Sequence, residues 1–503
     1  MTVEAARPQE LGAARPVAMP SSRLGWAYAA LVALMAAPIA IWPIPYSWDL
    51  VNHWARLTLY GAPAGDPLAA LYRIRLTLIP NLAIDLVYLA LAPVFSPESV
   101  IRLAWVAAFA LPAWGTWRLS RALFGAPQPI VLIAPALSYN LVTTLGLVNF
   151  ALGMGLAIHA LVWWLTIDRR RLWTRVALFN FMAALLFFCH IAAYAGFCLI
   201  VGLLDVAPWR GGAWREWLGR SWATPLCVAS GAVLWLFAVP FDSRFGGRGI
   251  RLLSLAAPML DDKLGLAFLA TIALIIALIL ALNRGVLTLA PAMRWPLAGL
   301  LVAIAAAPPS IGAADYIGSR MAVFFAYLVV ASLGGPSAGA ATRWLGLAAA
   351  AVVLARVGAI APTWAAFERS ADDFRQAIRA VAPGSRTLVV EPPTEACPLT
   401  SAMIVLRGLP NFIVIDRRAL VSTLFTGRGM QPVRMADPRM NDTPWVAVRP
   451  AWLALHDGSR GGANWREVYD TAIVVHGDCA WRLEAPGLTQ IGESREATIY
   501  RIQ

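Results

Sequence analysis

Apolar runs dominate the first 360 positions and then stop. A helix needs roughly 20 apolar residues to cross a bilayer, and runs of about that length extend over residues 24–44, 99–117 and 344–361. After Pro362 the apolar stretches become short and alternate with polar residues. The pattern predicts a polar tail over residues 1–23, a polytopic all-α membrane domain over 24–362 and a soluble domain over 363–503.

The apolar runs between these helices fall into pairs. They cover residues 129–167, 179–206, 222–240 with 264–282, and 295–307 with 321–333. The first two are each long enough for two helices, with turns near 146–149 and 189–194. We therefore expect about eleven transmembrane helices.

Arginine clusters between the apolar runs predict the orientation. They comprise Arg118 and Arg121, then Arg169, Arg170, Arg171 and Arg175, then Arg210, Arg215 and Arg220, then Arg284 and Arg294, and finally Arg343. Loops rich in arginine stay in the cytoplasm. The N-terminus should then be cytoplasmic and the C-terminal domain extracytoplasmic, in a bacterial plasma (inner) membrane.

Composition agrees with this interpretation. Hydrophobic residues make up 59% of the 503 residues, charged residues 14%, and the mean hydropathy is +0.65, far from the values of soluble domains. The net charge of +13 resides in the clusters that orient helices, so the lipid bilayer is the expected partner and nucleic acid is not. The run at 24–44 is too long for a signal-peptide core and is expected to be retained as a helix.

The last 140 residues predict a small α/β domain. An amphipathic helix is expected over 367–380, followed by strands in TLVVE (387–391), NFIVID (411–416), TAIVVHG (471–477) and ATIYRI (497–502). Cys397 and Cys479 lie in this domain. In an oxidising compartment they could form a disulfide, but two thiols fix no geometry, and free cysteines remain an alternative.

The first outer loop, residues 45–98, carries arginines on the side that should lack them, namely Arg56, Arg73 and Arg75. Such residues require local partners. Within the loop, PNLAIDLVYLALAP (80–93) is too short to span a membrane. It places one polar and one leucine-rich face on a helix, a pattern typical of a helix lying along the membrane surface; the faces comprise Asn81, Asp85 and Tyr88, and Leu82, Leu86 and Leu89.

Ionisable residues gather at the start of this loop. In PYSWDLVNHWARL, Ser47 could cap a short helix that presents Asp49, His53 and Arg56 at positions i, i+4 and i+7 on one side. Charged groups at a membrane boundary are costly, so a cluster of them suggests a polar cavity or a reacting site. Asp49 could act as a general base. A surface helix with an ordinary Asp–His or Asp–Arg contact is the alternative.

The chain starts with one outward-going helix and a long outer loop that opens with an acidic residue. A second span of the form SPESVIRLAWVAAFALPAWGTWRLSRALFG follows. This arrangement resembles the GT-C class of membrane glycosyltransferases. That class includes protein O-mannosyltransferases and the lipid A aminoarabinose transferase. The resemblance covers residues 24–149 and, more loosely, the overall layout of spans with an outer C-terminal domain.

The resemblance implies roles for individual residues. Asp49 would activate the acceptor, while Arg73, Arg75 and Arg320 would hold the phosphate of a polyprenyl-phosphate-linked sugar. Apart from the resemblance, substrate contacts are expected from His53, Arg56, Asn81 and Asp85 of the outer loop. His190, at the turn in CHIAAY, could line the same cavity; a buried histidine satisfied by a backbone carbonyl is the alternative. The chain lacks a second acidic residue beside Asp49 and any clear DxD motif, so no cofactor is expected, although a divalent metal remains open.

Other candidates have simpler explanations. Asn149 fits a helix cap, Gly153 and Gly155 fit close helix packing, and Asp261 with Asp262 fit a solvated loop. His456 and His476 lack cysteine or histidine partners at the spacing that zinc requires.

The leading hypothesis is a transferase that moves a sugar from a polyprenyl-phosphate donor to an envelope glycan, lipid or protein. A transporter or lipid flippase is an alternative, disfavoured because few ionisable residues lie near helix midpoints and no Gly/Pro-broken helix pair recurs. A noncatalytic envelope assembly protein is a third.

Overall fold

The computed structural model describes residues 21–206, 221–238, 251–260, 264–308, 310–311, 314–335, 340–398, 400–426, 431–442, 447–456, 464–479 and 481–503. In these ranges five helices have the length and composition of a membrane span, and six shorter helical segments are similarly apolar. The long ones lie within residues 22–41, 97–124, 148–166, 172–189 and 344–380. The protein is a polytopic, predominantly helical membrane protein, as predicted.

The helices of the membrane part follow the apolar runs. They are α1 (Ser21–Ile41), α5 (Pro97–Phe124), α6 (Leu141–Thr144), α7 (Val148–Thr166), α8 (Leu172–Cys189), α9 (Ile191–Val206), α10 (Ala223–Phe237), α11 (Leu264–Asn283), α12 (Arg294–Ala306), α13 (Ile317–Ala331) and α14 (Ala340–Ala377). Short strand pairs join some of them, namely β2 (Thr288–Leu289) with β5 (Leu333–Gly334), and β3 (Ser310–Ile311) with β4 (Ala314–Asp315).

Three segments differ in detail from the prediction. The first half of the 129–167 run is a 3₁₀ helix over Pro129–Ser138 followed by the single turn α6; Pro135 lacks the N–H that an α-helix needs at this point. Helix α8 begins at Leu172, within an arginine cluster. The last span and the amphipathic helix expected after it form the single 38-residue helix α14.

Small residues bring α5, α7 and α8 close together, as expected for Gly153 and Gly155. A Cβ added to Gly155 would lie 2.6 Å from Leu111 Cβ, and one added to Gly153 would lie 2.8 Å from Cys189 Cβ. Membrane helices depend on such close approach because lipid provides no hydrophobic drive for their association.

The first outer loop forms three helices and one strand, which are α2 (Leu50–Tyr60), α3 (Pro67–Leu71), β1 (Tyr72–Ile74) and α4 (Ala83–Leu91). Helix α4 buries Asp85 and Tyr88 against the protein and leaves Leu86, Val87 and Leu89 about two-fifths exposed. Leu86 and Leu89 form the outward apolar face predicted for a helix at the membrane surface. Leu82, predicted on the same face, is buried and precedes the helix.

The C-terminal part contains a mixed sheet of order β10-β11-β9-β6-β7. Its strands are β6 (Arg386–Val390), β7 (Leu420–Val421), β9 (Thr471–Val475), β10 (Leu488–Glu493) and β11 (Ala497–Ile502). The prediction of a strand in NFIVID was wrong, because Phe412–Arg417 is a helix. A 3₁₀ turn over Leu409–Asn411 directly precedes it, and the fixed φ of Pro410 suits the first turn of a helix.

Cys397 and Cys479 form a disulfide with a Cα–Cα separation of 5.9 Å. The outer loop and the C-terminal part share several contacts. Strand β1 pairs antiparallel with β8 (Val433–Met435), and Arg418 forms an ion pair with Asp66. The remaining short helices here are α15 (Ser401–Leu406), α16 (Phe412–Arg417), α17 (Pro450–Leu455) and α18 (Trp465–Val468).

Candidate functional site

Asp49 lies directly before α2 and is 9% exposed. It has helical dihedral angles and is the N-cap residue, but its side chain caps no backbone N–H. The prediction that Ser47 caps this helix was wrong, since the hydroxyl of Ser47 is buried without a hydrogen-bond partner among the described residues. The Asp49 carboxylate is therefore not engaged in holding its own helix.

The backbone of Asp49 is fixed by the turn between α6 and α7. The amide of Trp48 donates to the carbonyl of Thr144 at 3.1 Å, and that of Asp49 donates to the carbonyl of Leu145 at 3.2 Å. Gly146 follows with a φ of +78°, and a Cβ there would lie 2.5 Å from Ser47 Oγ and 2.7 Å from the Asp49 nitrogen. Only glycine fits this position.

Arg56 forms a buried ion pair with Asp85 that joins α2 to α4. Its Nε and Nη2 each donate to a different carboxylate oxygen of Asp85 at 2.7 Å. Nη2 also lies 3.0 Å from His53 Nδ1, and Nη1 donates to Gln431 of the C-terminal part. Tyr60 adds a hydroxyl bond to Asp85 at 2.9 Å. The outer-loop arginine thus has the local partner that its position demands.

Burial and the neighbouring Arg56 lower the pKa of His53 well below its usual value. The imidazole is therefore neutral at physiological pH. Because a guanidinium only donates, Nδ1 is the acceptor in the contact with Arg56 and the proton of His53 resides on Nε2.

Arg320 lies in the first turn of α13 and is 5% exposed. Its Nε donates to the carbonyl of Asp315 at 2.9 Å, its Nη1 lies 3.0 Å from His190 Nε2, and its guanidinium faces the ring of Phe150. The amide of Ala192 lies 3.0 Å from His190 Nδ1. These two contacts require opposite tautomers of His190, so only one is a hydrogen bond at a time.

No carboxylate lies within ion-pair distance of Arg320 among the described residues. Its positive charge is balanced only at longer range. An arginine held between a carbonyl and a neutral histidine keeps donors available for an anion.

The Asp49 carboxylate lies within the electrostatic reach of both buried arginines. Burial raises its pKa to about 7, against the opposing effects of Arg320 and Arg56 and with a smaller contribution from Asp315. Its Oδ1 is buried and has no hydrogen-bond partner among the described residues. A carboxylate that titrates near neutral pH and has an uncommitted oxygen is suited to general base catalysis.

Not all of the predicted site residues belong to this cluster. Arg73 and Arg75 are exposed beside the β1–β8 pair and form no ion pair with any residue in the described ranges. Asn81 accepts hydrogen bonds from Asn149 Nδ2 at 2.9 Å, while Asn149 Oδ1 accepts from the Ile84 amide at 3.1 Å. Asn149 thus caps the beginning of α4 rather than its own helix.

Several cluster residues were missed in the sequence. Asp315 and Tyr316 stand in the same ADYIGSR segment as Arg320, and an acidic residue there was a usable signal. Gln431 is 375 positions from Arg56, and no local pattern marks it. The tail before residue 21, Arg210, Arg215, Arg220, Asp261 and Asp262 lie outside the described residues.

The two histidines of the C-terminal part have structural contacts. The His456 ring stacks on Trp452 at a centroid distance of 4.1 Å. His476 lies 3.1 Å from Thr498 Oγ1 and 2.8 Å from the carbonyl of Gly477.

No protein-family model matches the chain, and no curated protein is similar in sequence. The structure is similar to the crystal structure of ArnT from Cupriavidus metallidurans in the apo state. The TM-score is 0.53 with 11% sequence identity, over 95% of this chain and 98% of that one. The chain therefore shares the fold of ArnT over most of its length.

Proposed function

We propose that this protein is a GT-C-type glycosyltransferase of the bacterial inner membrane. It moves a sugar from a polyprenyl-phosphate donor to a hydroxyl-bearing acceptor of the cell envelope, with Asp49 as the general base. The observation that carries the proposal is the buried Asp49 carboxylate, which has an uncommitted oxygen and a pKa near 7. The similarity of fold to ArnT supports the same assignment.

The chemistry needs one base and one cluster of positive charge. Asp49 accepts the proton of the acceptor hydroxyl, the acceptor oxygen forms a bond to the anomeric carbon, and the bond from that carbon to the donor phosphate oxygen breaks. The polyprenyl phosphate leaves with the extra negative charge. Arg320 is buried near Asp49 without an ion-pair partner in the described part of the chain, and would stabilise that charge. Arg73 and Arg75, exposed on and directly after strand β1, would attract the phosphate as it arrives.

The other outer-loop residues have a supporting role in this proposal. The Arg56–Asp85 ion pair, with His53, fixes α2 against α4, and α2 follows Asp49 directly. Holding a reacting group in place accounts for a large part of enzymatic rate enhancement. Asn81 and His190 would act indirectly, through the α4 cap and through Arg320.

We place Asp49 and the C-terminal domain on the outer side of the membrane. The disulfide between Cys397 and Cys479 supports this orientation, because disulfides persist in oxidising compartments. A reporter that is active only in the cytoplasm, fused after Gln503, should be silent. Activity of that reporter would contradict the orientation.

The proposal is tested with the purified protein in lipid nanodiscs, supplied with lipid-linked sugars and envelope glycans extracted from the source organism. Asp49→Asn should slow transfer by about 100-fold or more, since general base catalysis contributes roughly 10² to 10⁴. Glu98→Gln is the matched control because Glu98 is an exposed carboxylate whose partner is Arg102. Transfer by Asp49→Asn at the parental rate would refute the catalytic assignment.

A further inference from the structure

A cavity lies between the first outer loop and the C-terminal domain. Its volume is about 400 Å³, within the range of roughly 300–1,000 Å³ that small-molecule sites occupy. Trp48 and Asn52 of the outer loop line one side, and the C-terminal domain supplies the rest. The cavity thus begins at the residues on either side of Asp49 in the chain.

The walls of this cavity are held in place. The backbone of Gly408 contacts Trp48 so closely that a Cβ there would lie 2.3 Å from the Trp48 carbonyl oxygen. The rings of Trp48 and Phe425 meet edge to face, with centroids 6.3 Å apart. The amide of Phe425 donates to Asn52 Oδ1 at 3.1 Å. The walls of the cavity are therefore fixed by contacts between the first outer loop and the C-terminal domain.

Three polar side chains that line the cavity have unused hydrogen-bonding atoms. Asn52, Asn411 and Thr423 are 1%, 3% and 7% exposed. Within the described ranges, Asn52 Nδ2, Asn411 Oδ1 and Thr423 Oγ1 have no partner. Buried polar groups normally find partners because leaving them unpaired is costly. Their concentration around one cavity indicates that a ligand supplies the missing bonds.

The unused atoms define the chemistry of that ligand. One is a donor, one is an acceptor, and the hydroxyl is both. A phosphodiester or an ionised carboxylate offers only acceptors and would leave Asn411 Oδ1 unpaired, whereas the hydroxyls of a sugar both donate and accept. Three charged residues line the wall: Glu391 and Arg407 form an ion pair with Nη2–Oε2 at 2.8 Å, and Arg449 adds one positive charge.

The aromatic side chains of the cavity also fit a sugar ligand. Trp48, Phe425 and Trp452 line the same cavity, and indole or phenyl faces pack well against the C–H faces of a sugar ring. Aromatic walls with a few fixed polar groups are typical of specific ligand sites. We propose that this cavity binds the neutral sugar ring of the acceptor, an inference that rests on the proposed glycosyl transfer.

The position of the cavity suits this role. Burial raises the pKa of Tyr316, and the charges of Asp315, Arg407 and Asp49 also act on it. Tyr316 therefore lies in reach of both the cavity wall and the proposed base. Through Trp48 and Asn52, the cavity wall also lies next to Asp49 in the chain.

Binding is measured by saturation-transfer NMR on the full-length protein in nanodiscs, with methyl glycosides of the common neutral hexoses and pentoses as probes. The method needs neither donor nor turnover. Thr423→Val keeps the shape of the side chain and removes only the unused hydroxyl. Asn411→Leu removes the unused Oδ1 together with Nδ2, which donates to the carbonyl of Gly408 at 3.2 Å. Each should weaken binding about tenfold, the effect of roughly one hydrogen bond. Thr489→Val, an exposed position on β10, should bind like the parent.

Thermal unfolding of the ligand-free variants separates this role from a structural one. Replacing an unpaired buried polar group by an apolar one is neutral or stabilising, so the Tm of Thr423→Val should stay equal or rise while binding weakens. In the transfer assay, Thr423→Val should raise the KM for the acceptor and leave the KM for the donor unchanged.

Three results would overturn the cavity proposal: no glycoside contact with the parent protein, unchanged binding in both variants, or a lowered Tm in both. Failure of transfer in every preparation, with glycoside binding still lost in the variants, would refute the transferase and leave the sugar site standing.

Discussion

Replacing Asp49 by Asn should stabilise the protein at neutral and alkaline pH while removing activity. The reason is the raised pKa of this carboxyl, about 7 in the folded protein against 3.8 without the fold. Between these two pH values the folded protein retains a proton that the unfolded chain has released. The parent therefore loses stability as the pH rises through this window, and the loss is complete above pH 7.

The magnitude follows from the shift. Three pKa units at 1.36 kcal/mol each give about 4 kcal/mol of destabilisation at pH 8. Asparagine has nearly the same shape and does not titrate. The free energy of unfolding of Asp49→Asn, relative to the parent, should therefore increase by about 4 kcal/mol from pH 4 to pH 8.

Asp85→Asn is the matched control, because Asp85 is equally buried but paired with Arg56 at 2.7 Å. Removing one partner of a buried pair costs about 3–5 kcal/mol, so this variant should be less stable than the parent. Thermal unfolding in detergent at a series of pH values measures both variants. A stability difference between Asp49→Asn and the parent that does not change with pH would refute the assignment of a raised pKa.

Three further predictions concern other parts of the site. Gly146→Ala should reduce transfer about 100-fold by displacing Asp49. Gly65 also has a positive φ, but the space around it is open. Gly65→Ala should therefore retain activity in the same assay. Arg320→Gln should raise the KM for the donor about tenfold through lost charge-assisted bonds, and an unchanged KM would contradict its contact with phosphate. In the double variant Cys397→Ser, Cys479→Ser, the free energy of unfolding should be about 2–5 kcal/mol lower than in the parent. An unaltered Tm would show that the disulfide contributes nothing to stability.

The membrane part was largely predictable because lipid forces every span to be a continuous apolar helix. The breaks at Gly146 and at His190 were visible as polar or glycine-containing positions within long apolar runs. The C-terminal domain was less predictable. NFIVID has the composition of a strand, but Pro410 and tertiary packing make it a helix, since short apolar runs do not distinguish the two.

The candidate site was likewise predictable only in part. The i, i+4, i+7 spacing grouped Asp49, His53 and Arg56 because they lie on one short segment. In the structure His53 contacts Arg56, and Asp49 lies within the electrostatic reach of Arg56. The Arg56–Asp85 ion pair and the proximity of Arg320 to Asp49 depend on how separate helices pack, and one chain contains no signal for such contacts. Gln431 and the unpaired polar atoms of the cavity are products of the same long-range packing.

The lipid-linked sugars of a strain lacking this gene provide the most direct test of the transferase assignment. We predict that one polyprenyl-phosphate-linked sugar accumulates in that strain and in one carrying Asp49→Asn at parental protein level. Expression of the parent chain or of Glu98→Gln should remove the accumulated carrier. An unchanged carrier profile in the deletion strain, with an unchanged envelope, would contradict glycosyl transfer and favour transport or assembly.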